Sequence, residues 1–215
     1  MKIEVLTVGP LEENCYLLID EATNRAVLID PGDEPARILA ALHDSGATLE
    51  SIWLTHAHFD HLGGLAGVLR EHPVPVHMHP LEEPLHARAV DSALRYGFII
   101  EAPPPVDRAL AEGDRIAVGS QSLSVMHVPG HAPGHVAFYN DEVVFGGDCL
   151  FAGSIGRTDI EYGDRAALDA SVARIIALGD EVAVYPGHGR ATTIARERLT
   201  NPFVIGTARL VRVKR

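Results

Sequence analysis

Thr55-His56-Ala57-His58-Phe59-Asp60-His61 places three imidazoles and a carboxylate within six positions, after the apolar run Ser51-Ile52-Trp53-Leu54 and before Gly63-Gly64. Neutral imidazole and ionised carboxylate are the donors that zinc, iron and manganese favour. On a strand, residues 56, 58 and 60 would share one face and 61 would point away; on a helix, 56 and 60 would stack while 58 faced elsewhere. Neither regular element converges all four. The spacing therefore predicts a tight loop at the end of a strand, able to aim two donors at each of two neighbouring ions.

Outward from this cluster, further donors recur at strand ends. The turn Pro129-Gly130 follows a strand-like run over 122–127 and presents His131, while Gly134 permits close backbone approach. Asp148 closes the apolar run 143–145, where a buried carboxylate is costly unless paired or metal-bound. His188, between Gly187 and Gly189, completes seven candidate metal ligands: His56, His58, Asp60, His61, His131, Asp148 and His188. His135 is read as a support, since a ligating imidazole needs its other nitrogen held. Asp30, in Asp30-Pro31-Gly32, either caps that turn or orients a metal ligand. His77 and His79 read as structural or pocket-lining histidines, and His43, His72, His86 and His127 join no constellation.

The surrounding pattern is α/β. Residues 3–8, 15–19 and 26–29 read as a strand meander, 35–43 has helical spacing with Gly46 as a stop, and 51–54 is the next strand. The same strand–helix–strand grammar returns over 143–145, 165–178 and 182–185. The four strands of these two units, 26–29, 51–54, 143–145 and 182–185, each lead to a polar residue (Asp30, His56, Asp148, His188), and ligand sites form at the carboxyl ends of strands in such layers. Between the halves, 84–98 reads as helical and Pro103-Pro104-Pro105 as a stiff connector.

With 215 residues, 47% hydrophobic and 22% charged, the chain can bury a substantial core and reads as one domain over 1–215. No apolar run reaches about 18 residues and the N-terminus lacks an apolar signal region, so a soluble cytoplasmic protein without membrane contact is expected. Cys15 and Cys149 are too few and too far apart for a disulfide framework and read as buried small hydrophobes. A formal net charge of -11 argues against nucleic acid as a partner. Arg190, Arg196, Arg198, Arg209, Arg212, Lys214 and Arg215 form a local basic tail, read as charges that complement helix ends or acidic surface.

In order and spacing, His56-x-His58-x-Asp60-His61, His131, Asp148 and His188 resemble the metallo-β-lactamase fold family across nearly the whole chain. Within it, the stretches 8–16, 153–159, 185–189 and 200–203 resemble the short glyoxalase II-like (hydroxyacylglutathione hydrolase-like) hydrolases. The resemblance implies a four-layer αββα sandwich and two divalent metal ions, zinc first, with iron or manganese as alternatives. It implies that His56, His58 and His131 bind one ion, that Asp60, His61 and His188 bind the other, and that Asp148 bridges both. Asp60 and Asp148 then serve catalysis as ligands around a metal-bound hydroxide nucleophile.

The activity implied is hydrolysis of a small-molecule thioester, such as S-D-lactoylglutathione, to acid and thiol. Iron-dependent persulfide dioxygenase is the nearest alternative; its Gly-Arg-Thr-Asp segment resembles Gly156 to Asp159, and it would need only His56, His131 and Asp148. A lactonase or β-lactamase-like hydrolase is a further one. Long glyoxalase II enzymes continue past the last metal histidine into a helical region that grips glutathione, whereas 27 residues follow His188 here. Looser recognition is therefore expected, with Arg157 the candidate substrate-binding anion contact unless it pairs with Asp159 or Asp164.

Overall fold

Apolar runs bounded by turn residues become strands, and their alternate side chains pass to opposite faces. β1 (Lys2–Val8), β2 (Glu13–Asp20) and β3 (Arg25–Ile29) form the expected antiparallel meander. After α1 (Pro35–Ser45), β4 (Thr48–Trp53) pairs parallel with β3, and β5 (Val76–Met78) and β6 (Arg108–Ala109) extend the same sheet. Between β4 and β6 lie α2 (Phe59–Leu62), α3 (Leu65–Glu71), α4 (Glu83–His86) and α5 (Ala89–Arg95). The computed structural model describes residues 1–206.

β7 (Arg115–Val118), β8 (Gln121–His127), β9 (Val136–Tyr139) and β10 (Val143–Gly147) run antiparallel in a second sheet. β11 (Leu150–Phe151) and β12 (Ser154–Ile155) make a separate small hairpin. α6 (Arg165–Ile176) then carries the chain to β13 (Ala183–Pro186), parallel to β10, followed by β14 (Thr192–Thr193) and α7 (Ile194–Thr200). The two parallel strand–helix–strand units are thus those read from the sequence.

Burial shows how the layers stack. Tyr16, Leu18, Ile29 and Trp53 of the first sheet meet Val125, Phe138 and Phe145 of the second between the sheets. Their neighbours Leu17, Ile19 and Leu28 face the other way and pack with Ile38 of α1 and Val68 of α3. On the far side Val144 and Val184 pack with Leu168, Val172 and Ile175 of α6. The order is helix, sheet, sheet, helix, and β2 is buried along its whole length because both its faces are covered. Each large apolar side chain so enclosed stabilises the fold by roughly 1.5–3 kcal/mol.

The helix expected over 84–98 is two helices. Arg88 leaves helical geometry (φ -112°, ψ 12°) and ties its guanidinium to Pro84 O, Glu161 and Tyr162. Arg198 performs the helix-end role expected of the basic tail: it donates to Ile176 O at 2.7 Å, at the end of α6, and pairs with Asp180. Arg209, Arg212, Lys214 and Arg215 lie outside the described residues. Both cysteines are buried and free, and among the described residues no helix is long and apolar enough to cross a membrane.

Candidate metal centre

The decisive stretch begins where β4 ends. Residues 54–58 form the expected loop, but Asp60 and His61 lie on α2, so a single helical turn completes the convergence. His131 sits in the connection between β8 and β9, Asp148 directly follows β10, and His188 is two residues beyond β13. Asp30 follows β3 with φ 50°, a left-handed conformation that a short polar residue tolerates when its side chain is locally bonded. Its Oδ1 accepts the Thr55 N–H at 2.7 Å, and its Oδ2 accepts the Thr55 hydroxyl at 2.6 Å.

Three ligand-like groups result, one of which (Asp30, His56 and His61) shares a histidine with each of the other two. Donor atoms of His56, His58 and His131 lie within 4.8 Å of one another, as do those of Asp60, His61 and His188. Asp148 stands between them: its Oδ1 is 3.4 Å from His61 Nε2, while its Oδ2 is 3.4 Å from His131 Nε2 and 3.7 Å from His188 Nε2. The rings are held from behind. His131 Nδ1 bonds the Arg157 carbonyl at 2.9 Å, His188 Nδ1 the Leu11 carbonyl at 3.0 Å, and His61 Nδ1 lies 3.0 Å from Asp30 Oδ2. This outer bonding turns each Nε2 toward the centre.

The electrostatics suit cations. Burial pushes His56 below the ordinary histidine range and, with the neighbouring His131, takes His58 to about 3, which keeps ring lone pairs available. Burial would also lower His61, but Asp148, Asp30 and Asp60 outweigh it and draw positive charge to that position. Asp148 stays ionised despite its burial because His61, His131 and His188 surround it. Fit can be judged from the buried side-chain atoms that find no hydrogen-bond partner. Among them are His56 Nε2, His61 Nε2 and Asp148 Oδ1, all facing the same centre. Such orphans are costly in a metal-free site and are what a bound cation would satisfy.

One expectation needs correction. His135 is buried 4.8 Å from the His56 ring, centroid to centroid, yet neither of its ring nitrogens has a hydrogen-bond partner, so it does not orient a ligand by hydrogen bonding. The anchoring falls instead to Asp30, Thr55 and two backbone carbonyls. Arg157 lines the cleft above the centre, but its guanidinium is engaged by both Asp159 carboxylate oxygens, at 2.8 and 3.1 Å.

Sequence reading missed Thr55, whose hydroxyl is 3.0 Å from His56 Nδ1, and Asn14, whose amide donates to Pro186 O and Gly189 O on either side of His188. It also missed two buried carboxyls. Glu13 lies 3.7 Å from His61 Nδ1, and Glu82 is pushed up to about 7 by burial. Neither had a signal of its own in the sequence, because each acts on residues distant along the chain.

Comparison with known proteins decides the family. The profile of the metallo-β-lactamase superfamily matches residues 8–188. The chain belongs to that superfamily. It is 33% identical over 214 residues to the hydroxyacylglutathione hydrolase GloC of Haemophilus influenzae, covering 95% of this chain and 98% of that one. Among solved structures, the di-iron-bound form of TTHA1623 superposes with a TM-score of 0.87 at 46% identity, covering 93% of this chain and 99% of that one. ETHE1 from Myxococcus xanthus gives 0.79 at 30%, covering 96% and 85%. The expected αββα sandwich is the metallo-β-lactamase fold, and the His/Asp cluster fits the superfamily's dinuclear metal site.

Proposed function

We propose that this superfamily member is a thioester hydrolase of the glyoxalase II type, cleaving S-D-lactoylglutathione or a related hydroxyacyl thioester to acid and thiol. The observation that carries the reading is a complete seven-donor set with Asp148 between its two groups, opening onto a cleft of about 830 Å³. His56, His58 and His131 would hold one ion, Asp60, His61 and His188 the other, and Asp148 would serve both. When bound, two divalent ions supply hydroxide at neutral pH and polarise a carbonyl oxygen. Zinc and iron both suit imidazole and carboxylate donors.

The chain's own residues position the substrate. Phe59 stacks with Tyr96 and Phe98, at centroid separations of 5.7 and 5.5 Å, to give the cleft an aromatic wall for the apolar body of a thioester. Cys149 is buried with its thiol pushed up by burial, so it is no rival nucleophile. Charge in the cleft is mostly cancelled: Arg157 pairs with Asp159, and Glu161 with Arg88. Among the described residues lining the cleft, Arg95 is the cation without an acidic partner, and it favours a substrate carrying an anion remote from the reacting carbonyl.

Elemental analysis combined with a thioesterase assay tests the reading. Two ions per chain and hydrolysis of S-D-lactoylglutathione are expected, with Arg95→Gln reducing kcat/KM for this anionic thioester more than for a neutral one. The Gly156-Arg157-Thr158-Asp159 segment favours a second reading, persulfide dioxygenation. Iron-dependent oxygen uptake with glutathione persulfide and negligible thioester hydrolysis would replace the first reading with the second.

A further inference from the structure

Glu82 ends the short turn Pro80–Glu82 that precedes α4, far from both ligand groups in sequence, and it is fully buried. Its Oε2 accepts the Ala57 N–H at 2.7 Å and its Oε1 accepts the Gly134 N–H at 2.6 Å. Ala57 is the residue between His56 and His58, and Gly134 lies three residues past His131. One carboxylate thus joins the two loops that carry all three members of the first ligand group. Gly134 allows the approach: a Cβ there would stand 3.0 Å from Glu82 N and 3.1 Å from its Cγ. Burying a carboxylate is unfavourable unless it is fully bonded, and here two peptide donors in separate loops bond it.

The second group is anchored differently. His61 is held by Asp30 and His188 by the Leu11 carbonyl, through bonds that do not involve Glu82. From this separation we infer that Glu82 is a positioning residue for the first ion alone, setting the distance between the His56/His58 loop and the His131 loop. The inference rests on the dinuclear reading of the centre. Glutamine in its place would keep one acceptor but turn an amide N–H₂ toward a peptide N–H, so one loop would lose its bond. Loss of such outer partners typically weakens metal affinity 10–100-fold.

The test is a Zn²⁺ titration of the metal-stripped protein against a competing chelator, resolving two binding steps. His131→Ala identifies the step that belongs to the first group. In Glu82→Gln that step should weaken about 10–100-fold, with the other retained within about threefold. His188→Ala identifies the step that belongs to the second group. Equal weakening of both steps, with a lowered Tm, would mean that Glu82 is a general structural tie, and unchanged affinities would mean that it positions nothing; either result overturns the inference. Should Glu82→Gln not fold, Glu82→Asp decides: it keeps the charge but is one methylene too short to span both donors. Parental affinity for both ions in that variant would overturn the inference. A parent protein that binds fewer than two ions would instead refute the dinuclear reading itself.

Discussion

Replacing Gly187 by alanine tests how closely the centre is packed. The Gly187 N–H donates to Gly147 O and its carbonyl accepts the Asn14 N–H, both at 2.8 Å, so the backbone is pinned on two sides. A methyl group there would stand 2.3 Å from Asp148 Oδ1 and 2.7 Å from His61 Cε1. Ordinary contact begins near 3.4 Å, so the Asp148 carboxylate would have to retreat by about 1 Å, a misplacement that costs on the order of 100-fold in rate when it affects reacting geometry. Overpacking of this kind also destabilises by roughly 1–3 kcal/mol. Gly189→Ala is the matched control: its φ is +76° but nothing lies within 4 Å, so only backbone strain of about 1–2 kcal/mol is expected, with activity retained. The assay is kcat/KM on the thioester, with metal content and urea unfolding measured on the same preparations. Two bound ions and kcat/KM within about threefold of the parent in Gly187→Ala, under 1 kcal/mol of transition-state stabilisation lost, would refute the view that Asp148 is held in place between the two groups.

Asp30→Asn leaves the amide facing either the Thr55 N–H or the His61 ring, so a loss of about 1–3 kcal/mol in urea unfolding is expected; an unchanged midpoint and unchanged metal retention would reduce Asp30 to a turn cap. Asp20 is held below the usual carboxylate range by the Thr23 hydroxyl and by the Ser120 N–H and hydroxyl. The folded state therefore releases this proton more readily than the unfolded chain, and the stabilisation is complete above the ordinary pKa of about 3.9 and fades as pH falls below it. Asp20→Asn should accordingly lower stability at pH 6 more than at pH 3, and an equal loss at both would contradict this account. Cys149→Ala should keep its metals and its turnover, and the parent thiol should resist modification until the protein unfolds; an inactive variant with metals retained would assign Cys149 a chemical role.

The parts of this fold legible in sequence were those where one segment carries its own signal. The runs 26–29 and 143–145, each ending in a carboxylate, marked the parallel strands because continuous apolar stretches with a polar terminus have few alternatives. The converging donors were readable for a similar reason: His56 follows a strand end, His131, Asp148 and His188 each sit beside a glycine, and His58, Asp60 and His61 crowd the same short segment as His56. Two-residue strands such as β6 and β14 were not, since pairing with a neighbour, rather than their own composition, makes them strands. Nor was Glu82, which looks like the exposed Glu83 beside it; its burial comes from loops 25 and 52 residues away. His135 misled because adjacency to a ligand in sequence does not orient a ring. Arg157 takes the second of the two roles its sequence allowed, the local pair with Asp159 two residues on.

The first hairpin grips the last ligand. Asn14 donates to Pro186 O and Gly189 O, the Tyr16 hydroxyl donates to Pro186 O, and Glu13 bridges to His188. During synthesis, the segment carrying His56 to His61 leaves the ribosome long before residue 188 exists, so an early ion would find at most part of its cage. Closing so long a loop adds little entropy beyond a shorter one, and the delay is one of order rather than of energy. Completion of the second group thus waits until the two ends of the chain have met. Damage to the 11–16 hairpin, with every donor intact, should release an ion first and unravel the protein later.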